Sequence, residues 1–170
     1  MPPNSIPLRN GEVLASFYDA GLPPLEFVRL RSVHLNWRGP SVTLRLDLPA
    51  PSLPLPDDWV AAGVDTVQGQ LQFLAVADVE LDAWEPPVAM RLGTTSLEGE
   101  QHRIRVTAAA DGNSFLRFTS STDVLVGHVS GFRLGPAGSD DGLHVFRSRL
   151  DSMRHTTIPD FCEKTFYERL

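Results

Sequence analysis

Residues 25–49 read LEFVRLRSVHLNWRGPSVTLRLDLP, and the second half of this stretch decides the fold class. From Ser41 to Leu48 polar and apolar residues alternate without a break, which is the period of a β-strand with one buried face. The pattern predicts that Leu44 and Leu46 point into a core and that Arg45, between them, points to solvent.

The first half of the stretch, residues 27–37, is rich in β-branched and aromatic residues and is followed closely by Gly39 and Pro40. Glycine accommodates a positive φ and proline cannot donate to a β-ladder, so we expect the chain to turn there. The two halves are therefore predicted to form a β-hairpin.

Further strand signals follow along the chain. Short alternating runs occur at residues 67–73, 79–83, 88–92, 104–108 and 116–118, and a more continuous apolar run at 124–132 predicts a central strand. The dipeptide Asp111-Gly112 is typical of a hairpin turn. Six to eight short strands without long helices between them favour a mainly β fold, either an antiparallel β-sandwich or a strongly curved sheet with short peripheral helices.

Helical signals are brief. Asn10 is placed to cap a short helix that ends at Gly21, and residues 57–63 read as a single helical turn. Residues 135–142, GPAGSDDG, are the best linker candidate, and residues 158–167 predict a short amphipathic helix. We therefore expect a β domain at residues 1–134 and a linker with a C-terminal extension at residues 135–170.

Composition narrows the class of protein. The chain has 170 residues and a formal net charge of −6, which disfavours nucleic acid as a partner because phosphate binding needs clustered cations. No apolar run is long enough to cross a membrane, and the N-terminus lacks the features of a secretory signal. We therefore expect a cytoplasmic protein that binds neither nucleic acid nor membranes; the sequence carries no signal of its oligomeric state.

No pattern typical of catalysis occurs: HExxH, GxSxG, CxxC and a phosphate-binding glycine loop are all missing from the sequence. His128 lies in the apolar run at 124–132, where a buried, hydrogen-bonded histidine is commoner than a metal ligand. Cys162, the one cysteine, has no neighbouring base that would mark it as a nucleophile. We expect no catalytic residue, no cofactor and no metal site.

Acidic residues on one strand are the first candidate for binding. Asp78, Glu80 and Asp82 would share the outward face of the strand at 79–83, with Trp84 and Glu85 close behind. Neighbouring like charges repel one another slightly. The face is therefore either a contact surface for a basic partner or a charged edge that prevents aggregation.

The three tryptophans, Trp37, Trp59 and Trp84, are the second candidate, because each is predicted at a turn or strand end. An aromatic side chain at a loop tip is either an anchor for a partner or a lid on the core.

The order of these segments resembles a known family. VRLRSVHLNWRGPSVTLRLDLP is followed by a proline-rich connector, DDWVAAG, TVQGQLQF and VELDAW, and over residues 12–132 this order is similar to the Immunity protein 50 family. These are predicted antitoxins of bacterial polymorphic toxin systems. The resemblance implies a mostly β fold, no catalysis, and a role in binding and neutralising a cognate toxin.

Three functions stay open at this point. The leading hypothesis is a non-catalytic immunity protein that occupies the surface of a cognate protein toxin. The second is a small β module that binds a sugar or lipid, with the tryptophans around a pocket. The third, an enzyme on a β scaffold, is disfavoured because no converging set of titratable residues is visible.

Overall fold

The computed structural model describes residues 5–85 and 87–159. Within them the chain forms nine antiparallel strands in one sheet that does not close on itself, and this confirms the mainly β prediction. The strands are β1 Leu25–Asn36, β2 Ser41–Asp47, β3 Thr66–Phe73, β4 Ala77–Leu81, β5 Val88–Ser96, β6 Arg103–Ala110, β7 Asn113–Ser121, β8 Val124–Phe132 and β9 His144–Phe146. Two short helices, α1 Asp57–Ala61 and α2 Arg149–Arg154, accompany them. The hydrogen-bonded order is β4-β7-β6-β5-β1-β2-β3-β8-β9.

The predicted hairpins form. Strands β1 and β2 pair in antiparallel register, and the turn between them contains Gly39 at φ +112°. Leu44 and Leu46 are fully buried, so the predicted face of β2 does point into the core. Asp111 and Gly112, both with positive φ, join β6 to β7.

The sheet is strongly curved rather than divided into two layers. The rings of Phe73 on β3 and Phe118 on β7 lie edge to face with centroids 5.1 Å apart, although four strands separate β3 from β7 in the sheet. The backbone N–H of Ser121, at the end of β7, donates to the carbonyl of Leu74 just after β3. The core therefore lies inside the curve; we call the side that lines it the core face and the opposite side the outer face.

One end of the core is covered by aromatic residues from outside the sheet. Trp59 of α1 is buried, and its ring lies 5.1 Å from that of Phe17. A Cβ atom at Gly131 of β8 would lie only 2.4 Å from Cε3 of Trp59. Glycine at this position is what lets the indole ring sit against the strand.

The N-terminal helix differs from its prediction. Only Gly11–Leu14 is helical, as a 3-10 turn, and the Asn10 side chain does not cap it. The Asn10 amide instead donates to the carbonyl of Val126 and accepts from its N–H, at 2.7 and 2.8 Å. Asn10 thus ties the N-terminal segment to β8, because two long-range hydrogen bonds satisfy its amide better than one local cap.

The chain beyond Leu134 is joined to the sheet. Strand β9 pairs with β8, so that Ser130 lies opposite Phe146 and Phe132 opposite His144. Strand β8 is therefore internal, between β3 and β9, as its apolar run predicts. The helix predicted at 158–167 falls mostly outside the described residues, and α2 forms earlier, where no helix was predicted. The division of the chain at residue 134 stays a prediction.

Candidate partner-binding surface

Strand β4 carries the acidic residues and forms one edge of the sheet. All of its residues are exposed, including Val79 and Leu81 at 42% and 45%, so the expectation that this apolar set faces the core is wrong. The ladder to β7 shifts register between Ala77 and Glu80, and Asp78 has φ +53°. This bulge interrupts the alternation. Because the strand lies beyond the core, neither of its faces is covered by the described part of the chain.

The acidic side chains make few contacts. Glu80 forms an ion pair with Arg117 of β7, but both side chains are at least half exposed, so the pair contributes little to stability. The hydroxyl of Thr119 lies 3.5 Å from a carboxylate oxygen of Asp78. Asp82 and Glu85 are exposed. The acidic side chains are thus all exposed along this edge of the sheet.

Trp84 lies beside this edge, and part of its ring is covered by another side chain. Its ring stacks on Phe115 of β7 at a centroid distance of 5.6 Å, and the side chain is half-buried. Trp84 therefore covers Phe115 and offers a partner only the remaining part of its ring.

The tryptophans are not brought together. Trp59 packs on Phe17 in the core, Trp84 packs on Phe115, and Trp37 is 80% exposed at the β1–β2 turn with the guanidinium of Arg38 over its ring. Since each ring has a different neighbour, the contacts do not support an aromatic-lined pocket for a sugar or lipid.

The outer face holds a second group of charged residues that the sequence analysis missed. We call it the outer-face cluster: Arg31, Arg45, Asp47, Gln68 and Asp140. Arg31 donates to both carboxylate oxygens of Asp47, at 3.1 and 2.7 Å, and the Gln68 amide donates to Asp47 and Asp140, at 3.1 and 2.9 Å. All five side chains are buried or nearly so.

Asp140 connects the cluster to the C-terminal segment. Its carboxylate accepts from Nη1 of Arg45 and lies 3.7 Å from Nε of Arg31. Burial by itself raises the pKa of Asp140, but the Gln68 hydrogen bond and the charges of Arg45 and Arg31 outweigh it and hold that pKa below the usual 3.8. Arg45 is on the predicted side of β2, but the expectation that it points to solvent is wrong because Asp140 covers it.

Gly138 and His144, on either side of Asp140, hold the C-terminal segment against the sheet. The carbonyl of Gly138 accepts from Nη1 of Arg29 and Nη1 of Arg31, at 3.1 and 2.8 Å. Gly138 has φ +74°, a conformation that other residues adopt only with strain, and a Cβ there would also displace Nη1 of Arg29, which would lie 2.3 Å away. The ring of His144 stacks on Phe132 at 4.6 Å and bonds the Ser130 hydroxyl and the Asp140 carbonyl.

The state of His144 follows from its burial, which lowers its pKa below the usual 6.5. The neutral ring donates from Nε2 to the Asp140 carbonyl and accepts at Nδ1 from the Ser130 hydroxyl. The outer-face cluster itself balances two guanidinium groups against two carboxylates. Its chemistry is that of a structural junction between the sheet and the C-terminal segment.

His128 occupies a buried position, as its place in the apolar run suggests. Its Nδ1 lies 3.1 Å from a carboxylate oxygen of Asp151 in α2. Cys162 lies outside the described residues. Within residues 5–85 and 87–159, His, Cys, Asp and Glu side chains nowhere gather in threes suited to a metal ion. In the same ranges no helix has both the length and the apolar character to cross a membrane.

Comparison with known proteins gives the family. The sequence model of the Immunity protein 50 family matches residues 10–126, more than half of the chain. The chain belongs to this family, as the resemblance of its segments predicts. No curated protein and no solved structure matches it.

The family match covers the acidic edge completely and the outer-face cluster only in part. Strand β4 and the cluster residues Arg31, Arg45, Asp47 and Gln68 lie inside the matched residues, whereas Asp140 lies beyond them. The outer-face cluster is thus completed by a segment outside the family match.

Proposed function

We propose that this chain is an immunity protein: a cytoplasmic, non-catalytic antitoxin that binds a cognate bacterial polymorphic toxin and neutralises it by occupying its surface. Membership of the Immunity protein 50 family is the observation that carries the proposal. The toxin is the partner, and neither nucleic acid nor a membrane takes part.

The acidic edge is the proposed contact surface. Asp78, Glu80, Asp82 and Glu85 are exposed on or just after an edge strand, and the chain carries a net charge of −6. A cationic toxin surface would relieve their mutual repulsion and be steered to this edge, so that association is fast. Trp84, half-exposed beside them, contributes apolar contact.

The first experiment tests the function. The chain is co-expressed with the product of the neighbouring gene, and both cell survival and a stable complex of the two purified proteins are measured. Survival with a complex is expected. Death of the cells, or survival without any complex, would contradict neutralisation by binding.

The second experiment tests the surface. The triple variant Asp78→Asn, Glu80→Gln, Asp82→Asn is compared with a control of equal charge change at exposed acids of the N-terminal segment and α1, Glu12→Gln, Asp19→Asn, Asp58→Asn. Stability should change by less than about 1 kcal/mol in both, because the charges removed are exposed. The β4 variant should bind with a slower association rate and a weaker salt dependence than the control. Equal rates for the two variants across a salt series would exclude β4 from the interface.

A further inference from the structure

The β1–β2 turn presents a large aromatic side chain to solvent. Trp37 is 80% exposed, and the guanidinium of Arg38 lies 5.1 Å from its ring centroid. The backbone N–H of Arg38 donates to the Asn36 side chain at 3.0 Å, and Gly39 adopts φ +112°. Arg38 lies over one face of the indole and the turn carries a hydrogen bond of its own, and both contacts reduce the freedom that Trp37 would lose on binding.

The turn is next to the acidic edge. The N–H of Val76, directly before β4, donates to the carbonyl of Pro40 at 2.9 Å. At no more than about 3.6 Å per residue, Trp37 lies within about 11 Å of Pro40 and Asp78 within about 7 Å of Val76. With roughly 6 Å across the hydrogen-bonded pair, Trp37 and Asp78 lie within about 24 Å of each other. A standard interface covers about 800 Å² per partner, a patch about 32 Å across, so one interface is wide enough to include both.

We propose that Trp37 is the anchor of the toxin interface, with its indole ring in an apolar pocket on a toxin surface that is cationic where it faces β4. The inference rests on the proposed function and deepens it by naming the residue that supplies affinity. Charged residues at the edge of an interface mainly set the association rate, whereas a buried tryptophan dominates the free energy of binding.

Charge complementarity decides between a toxin and a second copy of this chain. Two copies related by a two-fold axis at β4 would bring Asp78, Glu80 and Asp82 of one against the same acids of the other. Such like-charge contacts oppose association, whereas a basic partner removes the repulsion.

The test compares Trp37→Ala with Phe27→Ala. Phe27 is 85% exposed at the opposite end of β1, ten residues and at most about 33 Å from Trp37, so it is an aromatic control remote from the β1–β2 turn. Each full-length variant is titrated with the purified product of the neighbouring gene. Trp37→Ala should weaken binding by about 30-fold or more, chiefly through faster dissociation, while Phe27→Ala stays within about threefold.

Fluorescence supplies a second measurement. The emission of the wild-type protein should shift to shorter wavelength on binding as Trp37 leaves water, and Trp37→Phe should remove most of the shift and leave the smaller part that Trp84 contributes. If the wild-type protein binds and Trp37→Ala binds equally well, the anchor is refuted and the proposed function stands. If the wild-type protein does not bind, both fall. A dimer of this chain that Trp37→Ala dissociates would overturn the choice of a toxin as the occupant.

Discussion

Replacing Asp140 by alanine tests whether the outer-face cluster holds the C-terminal segment to the sheet. The change removes the carboxylate that Arg45 and Gln68 contact and that lies 3.7 Å from Arg31. Arg31 keeps its two-point contact with Asp47, and Arg45 keeps only weaker bonds to Ser32 and Gln68, at 3.3 and 3.4 Å. The main loss is therefore the charge partner of Arg45.

The size of the effect follows from burial. Removing one partner of a buried ion pair costs about 3–5 kcal/mol. The Arg45 side chain is 15% exposed and retains two acceptors, so we expect the lower end, about 3 kcal/mol. For a domain of this size that is a fall in Tm of about 6–12 °C.

The assay is thermal and urea unfolding of Asp140→Ala beside Asp141→Ala, an exposed acid that exchanges hydrogen bonds with Ser139 within its own turn. The control should melt within about 2 °C of the wild-type protein. If Asp140→Ala also does so, the cluster does not fasten the segment and the reasoning fails.

The pH dependence has a definite sign. The pKa of Asp140 is lower in the folded protein than in the unfolded chain, so its contribution is present above the unfolded value near 3.8 and is lost as pH falls through the folded pKa. The difference in unfolding free energy between the wild-type protein and Asp140→Ala should therefore narrow below about pH 4. A difference that stays constant down to pH 2.5 would show that the carboxylate charge is not what stabilises the segment.

Three further sets of variants test the burial of the β2 side chains, the contact between Gly131 and Trp59, and the contribution of the segment after Leu134 to stability. Leu46→Ala should cost about 2–4 kcal/mol in urea unfolding, and Arg45→Ala should cost more than the few tenths of a solvated residue; a neutral Arg45→Ala would restore the solvent-facing interpretation. Gly131→Ala should cost about 1–3 kcal/mol because its Cβ meets Trp59, whereas at Gly69 of β3 the nearest atom is 3.6 Å away and the same change should cost less; equal costs would refute the clash. A chain ending at Leu134 should melt lower than Asp140→Ala does, because it also loses β9; an unchanged cooperative melt would support the division predicted from the sequence.

Alternation predicted the fold where one face of a strand meets the core. In β2 the apolar set is buried as expected, because a one-residue slip would expose all of it. The same reasoning failed at β4, where Val79 and Leu81 alternate with acids just as regularly. Periodicity reports only that a strand has two different faces, and an edge strand beyond the core need not bury either.

The sequence did not predict the outer-face cluster, for a different reason. The alternation in β2 did place Arg45 and Asp47 on the same face, and the alternation in β3 placed Gln68 on the face opposite Val67. Their partner, Asp140, is 93 residues from Asp47 in a segment with every mark of a linker. No local pattern connects two such distant residues, so buried charge pairs of this kind appear only once the chain is folded.

The strand order has a consequence for folding. Strands β1, β2 and β3 form one locally connected group and β5, β6 and β7 another, because within each group neighbours in sequence are neighbours in the sheet. Strand β4 is the exception: it lies between the groups in the chain but pairs with β7, so it has nothing to pair with until β7 has been made. During synthesis the acidic edge is therefore assembled only after the second group, and its loop-closure entropy makes it a late, non-local step. A chain released before β7 is made would therefore lack the surface proposed to meet the toxin.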